Sequence, residues 1–171
     1  MDSENTVQMG FSNNDVNNMQ KALELINNKT YVPLTGTRDE IIDMVESIMA
    51  EYPQLECPLV HRFTKNMYIR EVSVPAGSWL TTRIHKDEHP FALSKGTITM
   101  WDGETQIDIS APFGGITKEN TRRIVFVHED CVFTTFHVTD KKTVEDVESE
   151  ILVKYNNPLL SESIKKTLKL N

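Results

Sequence analysis

The sequence predicts a mainly β domain of the α+β class, with helices before and after the strands. Short runs rich in β-branched and aromatic residues, separated by glycine, proline and aspartate turn signals, fill residues 55–140. Helical periodicity is found instead in residues 15–54 and 141–171. We therefore divide the chain into a polar arm (1–14), N-terminal helices (15–54), a strand-rich domain (55–140) and C-terminal helices (141–171).

Two amphipathic helices are expected before the strands. In residues 15–27 the apolar side chains form one stripe, which suits packing on the barrel and pairing with another subunit equally well. Thr37 and Glu40 form a capping box that starts a second helix, and Pro53 stops it. The buried face of this second helix should carry Ile41, Ile42, Val45, Ile48 and Met49.

The strands are expected from alternation and turns. Residues 67–74 place Tyr68, Arg70, Val72 and Val74 on one face. Asp102-Gly103 after residues 97–101 predicts a hairpin to residues 105–109. Residues 111–117, with a glycine pair, are expected to be a turn-rich loop. Two further strands should cover residues 123–127 and 131–138, separated by a polar turn of His128, Glu129 and Asp130.

Two more helices are expected at the C-terminal end. Thr143 should cap a helix of residues 143–155, whose acidic first turns complement the helix dipole. Residues 161–170 form a short amphipathic pattern with Ile164 and Leu168 one turn apart. A helix this short is marginal alone, so we expect it to dock on another surface.

Composition narrows the function classes. The formal net charge is −7 and no run of lysine or arginine occurs, which argues against a nucleic-acid partner. No apolar stretch of about 18 residues and no signal peptide is present, so neither a membrane span nor secretion by such a signal is expected. Cys57 and Cys131 are interpreted as reduced thiols, although a disulfide between them is left open.

Three histidines form a candidate metal site. His85 should end one strand and His89 begin the next, and His137 shares a face of the last strand with Cys131, Phe133 and Thr135. If His137 faces the interior, the three imidazoles can meet and form an open metal site. The alternative is that His85 and His89 are solvated loop residues, and that His137 hydrogen-bonds a threonine or carboxylate and shapes the core.

Part of the chain resembles the cupins. The spacing of Gly77, His85, His89 and Gly96 is similar to the first cupin motif, a glycine, a His-x-His pair, a glutamate and a glycine. In this resemblance His85 matches the second histidine, His89 stands at the glutamate, and Arg83 stands at the first histidine. Arg123 stands where the second motif has its histidine. Residues 56–152, with segments such as ECPLVHRF, resemble small cupin-like proteins of tailed bacteriophages.

The resemblance implies a double-stranded β-helix (jelly-roll) barrel of the cupin type, but cupins include enzymes, storage proteins and binding modules. Because two ligand positions carry arginine, we expect first a non-enzymatic phage accessory protein. It would be a homo-oligomer or bind other phage structural proteins, in the virion or the cytoplasm of the bacterial host.

A metal-dependent oxygenase or isomerase is the second interpretation. His85, His89 and His137 would bind Fe, Mn, Ni or Zn, Arg83 or Arg123 would hold an anionic substrate group, and the turn at His128 would handle protons. The third is a metal-free barrel that binds a nucleotide or sugar phosphate through the same arginines, with Thr135 beside them.

Overall fold

The computed structural model describes residues 8–10, for which only the backbone is considered, and residues 36–50 and 52–161. The helix expected at residues 15–27 lies outside the described residues, as do most of the polar arm and all but the first residue of the helix expected at 161–170. Among the described residues no helix is long and apolar enough to cross a membrane.

Ten strands and two helices make up the described fold. The helices are α1 (Arg38–Met49) and α2 (Val144–Ile151). The strands are β1 (Gln8–Gly10), β2 (Leu59–Phe63), β3 (Met67–Val74), β4 (Ser78–Thr81), β5 (His89–Lys95), β6 (Thr97–Trp101), β7 (Gln106–Ser110), β8 (Phe113–Thr117), β9 (Ile124–Val127) and β10 (Cys131–Val138).

The strands form two antiparallel sheets of five. One sheet, called sheet A, has the order β1-β4-β9-β6-β7, and the other, sheet B, has the order β2-β3-β10-β5-β8. Strands β3 to β10 follow the order found in jelly-roll sandwiches, in which every connection except the β6–β7 hairpin crosses between the sheets, with β1 and β2 added at the edges. The mainly β, α+β class predicted from the sequence is confirmed, with antiparallel sheets and flanking helices.

Alternation decides which side chains enter the interior. On β3, Tyr68, Val72 and Val74 are buried and face β10, whose Cys131, Thr135 and His137 are buried. The pairings His137↔Tyr68, Thr135↔Arg70 and Phe133↔Val72 put the predicted faces of the two strands side by side. Both alternating faces predicted from the sequence are therefore confirmed.

Two predictions about secondary structure are wrong, one about the type of an element and one about the length of a helix. Residues 113–117 are strand β8, because pairing of Gly114 and Gly115 with Ala92 and Phe91 of β5 outweighs their low strand propensity. A Cβ at Gly115 would lie 2.9 Å from the Phe91 ring, so the glycine lets that ring pack against the backbone. Helix α2 ends at Ile151 and not at residue 155, because the chain after it is extended and forms backbone hydrogen bonds with residues 84–86.

Helix α1 begins as predicted, with Thr37 and Glu40 forming the capping box. Ile42, Val45 and Met49 are buried. Ile41 and Ile48, expected on the same face, are half-buried, and the charged Asp43 is buried in their place. A buried carboxylate requires partners, and the sequence pattern gave no sign of them.

Arg122 is the main partner of Asp43 and links α1 to the two sheets. Its Nη1 lies 2.7 Å from Asp43 Oδ1 and its Nη2 lies 2.8 Å from Glu46 Oε2. The chain after α2 completes the network, because the Tyr155 hydroxyl donates to Asp43 and the Asn157 amide donates to Glu46. The guanidinium also lies 4.5 Å from the centre of the Tyr155 ring. Helix α1 and the segment after α2 therefore meet at one buried arginine.

We expect Arg122→Met to lower the free energy of unfolding by about 3–5 kcal/mol, because it leaves two carboxylates desolvated without a cation. Arg62→Met is the matched control, since Arg62 is 51% exposed and its 3.4 Å pair with Glu71 lies on the surface. That control should cost less than about 1 kcal/mol. Urea unfolding measures both, and equal losses would contradict the role given to the buried network.

Candidate functional site

A pocket of about 110 Å³ lies between the two sheets. Three histidines line it, namely His85, His89 and His137. Three arginines also line it, namely Arg70, Arg83 and Arg123. Most of the remaining wall consists of apolar side chains from both sheets, with several threonines and Glu148 among them, so the charged groups meet in a largely apolar pocket.

Sheet B holds two of the histidines rigidly. His89 is the first residue of β5 and pairs with Thr117 of β8, and His137 of β10 pairs with Tyr68 of β3. Both imidazoles are buried, at 4% and 5% exposure. Because both face the space between the sheets, the backbone pairing alone brings them together.

His85 reaches the site from a loop and not, as predicted, from the end of a strand. Strand β4 ends at Thr81, and His85 forms an isolated antiparallel bridge with Leu152. Lys86 N donates to Ile151 O at 2.8 Å, and Val153 N donates to Ile84 O at 2.9 Å. The Lys86 ammonium also bonds carbonyls of the last turn of α2. The segment after the last helix therefore places His85.

The three imidazoles are in mutual contact. Ring centroids lie 4.2 Å apart for His85 and His89, 4.5 Å for His89 and His137, and 5.0 Å for His85 and His137. One ring nitrogen from each residue can be chosen so that the three lie within 4.8 Å of one another. The structure thus brings together the three residues proposed from the sequence.

In each of the three rings at least one nitrogen has no hydrogen-bond partner among the described residues. His89 Nδ1 lies 3.3 Å from Asp87 O, and a carbonyl only accepts, so in the neutral ring Nε2 keeps its lone pair. His137 Nε2 lies 3.1 Å from Thr135 Oγ1, which leaves Nδ1. Among the described residues the His85 ring has no hydrogen-bond partner. Such outer bonds fix the tautomer and orientation of metal-ligating histidines.

Burial keeps the cluster neutral. Desolvation lowers the pKa of His85 to about 2, helped by repulsion from His89, His137, Arg70 and Arg83. Desolvation, with His89 and Arg70, also lowers the pKa of His137 to about 3. The pKa of His89 is lowered as well, mainly by burial. Neutral imidazole is the form that binds a metal ion.

The other predicted site residues also line the pocket. Arg83 forms an ion pair of 3.0 Å with Glu148 of α2, so its charge is already compensated. Arg123 donates from Nη1 to Thr117 Oγ1 at 3.1 Å. Thr135 contacts His137, as one of the alternatives for that histidine expected. Whether any of these three binds a ligand stays a prediction.

Sequence reasoning missed Arg70, Tyr68 and Glu148 as parts of this wall. Arg70 carried a usable signal, because an arginine on the apolar face of an alternating strand is costly unless the face serves a site. Burial lowers the pKa of its guanidinium to about 10. Glu148 carried no signal, since it is one of several acidic residues on its helix.

The other two histidines of the sequence, His61 and His128, lie away from this cluster. His61 bonds the Tyr68 hydroxyl at 2.7 Å but does not line the pocket. His128, proposed to move protons, is exposed and bonds Thr99 at 2.6 Å, also outside the pocket wall. Cys57 and Cys131 do not form a disulfide, and Cys131 lines the apolar part of the pocket.

Comparison with known proteins finds likeness among solved structures. An acetylacetone dioxygenase from Acinetobacter johnsonii is 20% identical, with a TM-score of 0.40, over 48% of this chain and 58% of that chain. A cupin-2 domain containing protein from Shewanella frigidimarina is 10% identical, with a TM-score of 0.40, over 55% and 91%. A predicted oxalate decarboxylase from Thermotoga maritima is 14% identical, with a TM-score of 0.43, over 50% and 83%.

The chain spans a little under three fifths of that dioxygenase, which is 58% covered. One of these neighbours is a cupin-domain protein, and the cupins are the superfamily that the sequence resembles. At such low identities and TM-scores, no activity or ligand of these proteins can be assigned to this chain. No protein-family model and no curated protein matches the sequence. The resemblance to phage proteins stays a prediction.

The metal-free protein should lose stability on acidification, because these histidines bind protons more readily in the unfolded chain than in the folded protein. The lowered folded-state pKa values mean that this stability is fully present above 6.5, the ordinary pKa of histidine, and declines towards about 2 for His85. Each such histidine adds a slope of about 1.4 kcal/mol per pH unit.

Urea unfolding between about pH 6 and pH 4, with a chelator present, should therefore show a shallower slope for His85→Gln than for the wild-type protein. The expected difference is about 1.4 kcal/mol per pH unit. Parallel pH profiles would mean that His85 titrates normally in the folded state and is not enclosed as described.

Proposed function

We propose that the protein is a metal-dependent enzyme with a mononuclear centre, in which His85, His89 and His137 bind one divalent transition-metal ion. The observation that carries this proposal is the contact of three neutral imidazoles, two buried and that of His85 half-buried, whose ligand nitrogens lie within 4.8 Å of one another. The sequence favoured a non-enzymatic role because Arg83 and Arg123 replace two expected ligands, but His137 supplies a third imidazole from another strand.

The donor set fits a metal ion. Three neutral histidines suit Fe, Mn, Ni or Zn, and imidazole is the commonest protein ligand for such ions. Metal–nitrogen bonds of about 2.0–2.1 Å require the nitrogens to approach to roughly 3.3 Å, which small side-chain rotations achieve. The hydrogen bond from His89 Nδ1 to Asp87 O and that between His137 Nε2 and Thr135 Oγ1 already orient two of the rings.

Three protein ligands leave coordination positions for water or a substrate, as catalytic sites require. When bound, the ion would supply Lewis-acid chemistry, or redox chemistry if it is iron or manganese. An oxygenase or isomerase acting on a small molecule is the reaction class that suits such a centre in an enclosed pocket.

The chain's own residues would bind and shield the substrate. Aliphatic side chains of β6 and β9, among them Ile98, Met100 and Val125, exclude water from the inner wall. The residues at the end of α2, Ile151 and Leu152, cover the side next to His85. Arg123 places a positive charge beside His89, where an anionic substrate group would be held.

A role in a phage particle or its assembly is the other proposal that the sequence motivates. Its partners would be copies of this chain or phage structural proteins, and it does not conflict with a metal site. No contact among the described residues favours it over the enzyme, so it stays second.

The untagged full-length chain, dialysed in turn against Fe(II), Mn(II), Ni(II) and Zn(II), should retain close to one equivalent of at least one ion. Three imidazoles in one enclosure bind far more tightly than one, so the His85→Ala/His89→Ala double variant should lose nearly all bound metal. Elemental mass spectrometry after gel filtration measures the stoichiometry.

His128→Ala is the matched control, because this histidine is exposed and outside the pocket. It should retain the wild-type metal content. His137→Asn provides a second test if the double variant unfolds, since it removes one ligand and keeps a polar partner for Thr135. A folded wild-type protein with far less than one equivalent of every ion would refute the metal centre.

A further inference from the structure

The pocket changes from polar to apolar along the strands. The residues of sheet B that face the interior form rows set by the strand register. The first row contains Tyr68, His137, His89 and Thr117. The second contains Arg70, Thr135 and Phe91, and the third contains Val72, Phe133 and Leu93. The histidines therefore lie at one end and a hydrocarbon wall lies beyond them.

Strand β9 of sheet A repeats this gradient. Arg123 precedes the strand and lines the polar end, whereas Val125 and Val127 line the apolar part. Leu80 of β4 and Ile98 and Met100 of β6 add to the apolar side, as their pairings with β9 require. A ligand that satisfies both ends must have a polar head and an aliphatic tail.

Arg123 lacks a carboxylate partner among the described residues. Its neighbour Arg122 has two carboxylates within 2.8 Å, and Arg83 has Glu148 at 3.0 Å. Arg123 bonds the hydroxyl of the buried Thr117, and Asp102 acts on it only from beyond ion-pair distance. The half-burial of this charge is costly, because Asp102 offsets its desolvation only in part.

The backbone holds Arg123 in place for a ligand. Arg123 N donates to Thr82 Oγ1 at 2.9 Å, and Thr82 N donates to Arg123 O at 2.9 Å. The preceding residue, Arg122, is fixed in its own buried network. Two adjacent arginines thus point to different places, one compensated against α1 and one uncompensated in the pocket.

The volume limits the ligand. At about 110 Å³ the pocket is smaller than an engineered apolar cavity of about 150 Å³ that binds benzene. The enclosed part therefore suits about four to six non-hydrogen atoms, which is too few to bury the nucleotide or sugar phosphate considered from the sequence. A carboxylate matches the planar fork of an arginine and has room for a short tail.

We propose that the pocket binds a short-chain aliphatic monocarboxylate of about four carbon atoms, with its carboxylate on Arg123 beside the histidines and its tail against Val125 and Val127. Its role as a substrate rests on the proposed function, whereas its binding needs only the pocket. The ligand compensates the charge that the protein leaves unpaired and covers the aliphatic wall.

Calorimetric titration of the full chain with acetate, propionate, butyrate, pentanoate, hexanoate and octanoate tests this proposal, with the metal-free and the Zn²⁺-loaded protein measured separately. Affinity should rise roughly fourfold per methylene up to about butyrate, because each buried methylene adds apolar contact, and then fall as the pocket fills. Butyramide, which lacks the charge, should bind at least tenfold more weakly than butyrate.

Arg123→Met gives a second readout that a purely structural arginine would not give. The variant should lose butyrate binding while its melting temperature without ligand rises by about 2–4 °C, because an uncompensated charge has been removed. Val127→Phe, which fills the apolar part, should weaken butyrate more than acetate.

The outcomes separate this inference from the proposed function. Butyrate binding without any metal binding would refute the enzyme and uphold the inference as a binding module. One equivalent of metal with no dependence on chain length, or with inorganic phosphate bound as tightly as butyrate, would overturn the inference and leave the metal centre intact. A lowered melting temperature in Arg123→Met would also count against it.

Discussion

The alternation of side chains along paired strands is the constraint on which the rest of this structure depends. Because successive residues point to opposite faces, the register of β3, β10, β5 and β8 decides which groups share the interior. That register puts His137 and His89 in one row and hydrocarbon in the rows beyond. A shift of one residue in β10 would turn His137 outwards and bring Phe136 into its place.

Burial then gives the grouped residues their chemistry. Imidazoles that would titrate near neutrality in water stay neutral when they are packed against one another and against arginines in an apolar wall. The same desolvation makes each positive charge costly, so it matters which of the arginines have a carboxylate partner. Arg122 and Arg83 are paired with carboxylates, and Arg123 is not paired among the described residues. This asymmetry distinguishes the arginine that fastens the fold from the one suited to a ligand.

Much of the fold was accessible from the sequence because local signals and tertiary packing agree. The capping box at Thr37, the hairpin after Trp101 and the alternation in β3 and β10 appear as expected. Disagreement arises where long-range pairing prevails over local preference. The composition of residues 113–117 is typical of a loop, yet these residues form strand β8 because they pair with the edge of β5. Asp43 looks like a solvated helix residue, yet an arginine 79 positions away buries it.

The sequence by itself determined the mainly β class and the strand faces, since these follow from residue type and period two, and with the cupin resemblance it named the three histidines as candidates. Only the tertiary structure decided that the three imidazoles meet. His85 lies in a loop, and its position at the pocket depends on an antiparallel bridge to Leu152, which follows helix α2. Contacts between residues so far apart depend on how the sheets and helices pack, and no local pattern encodes that packing.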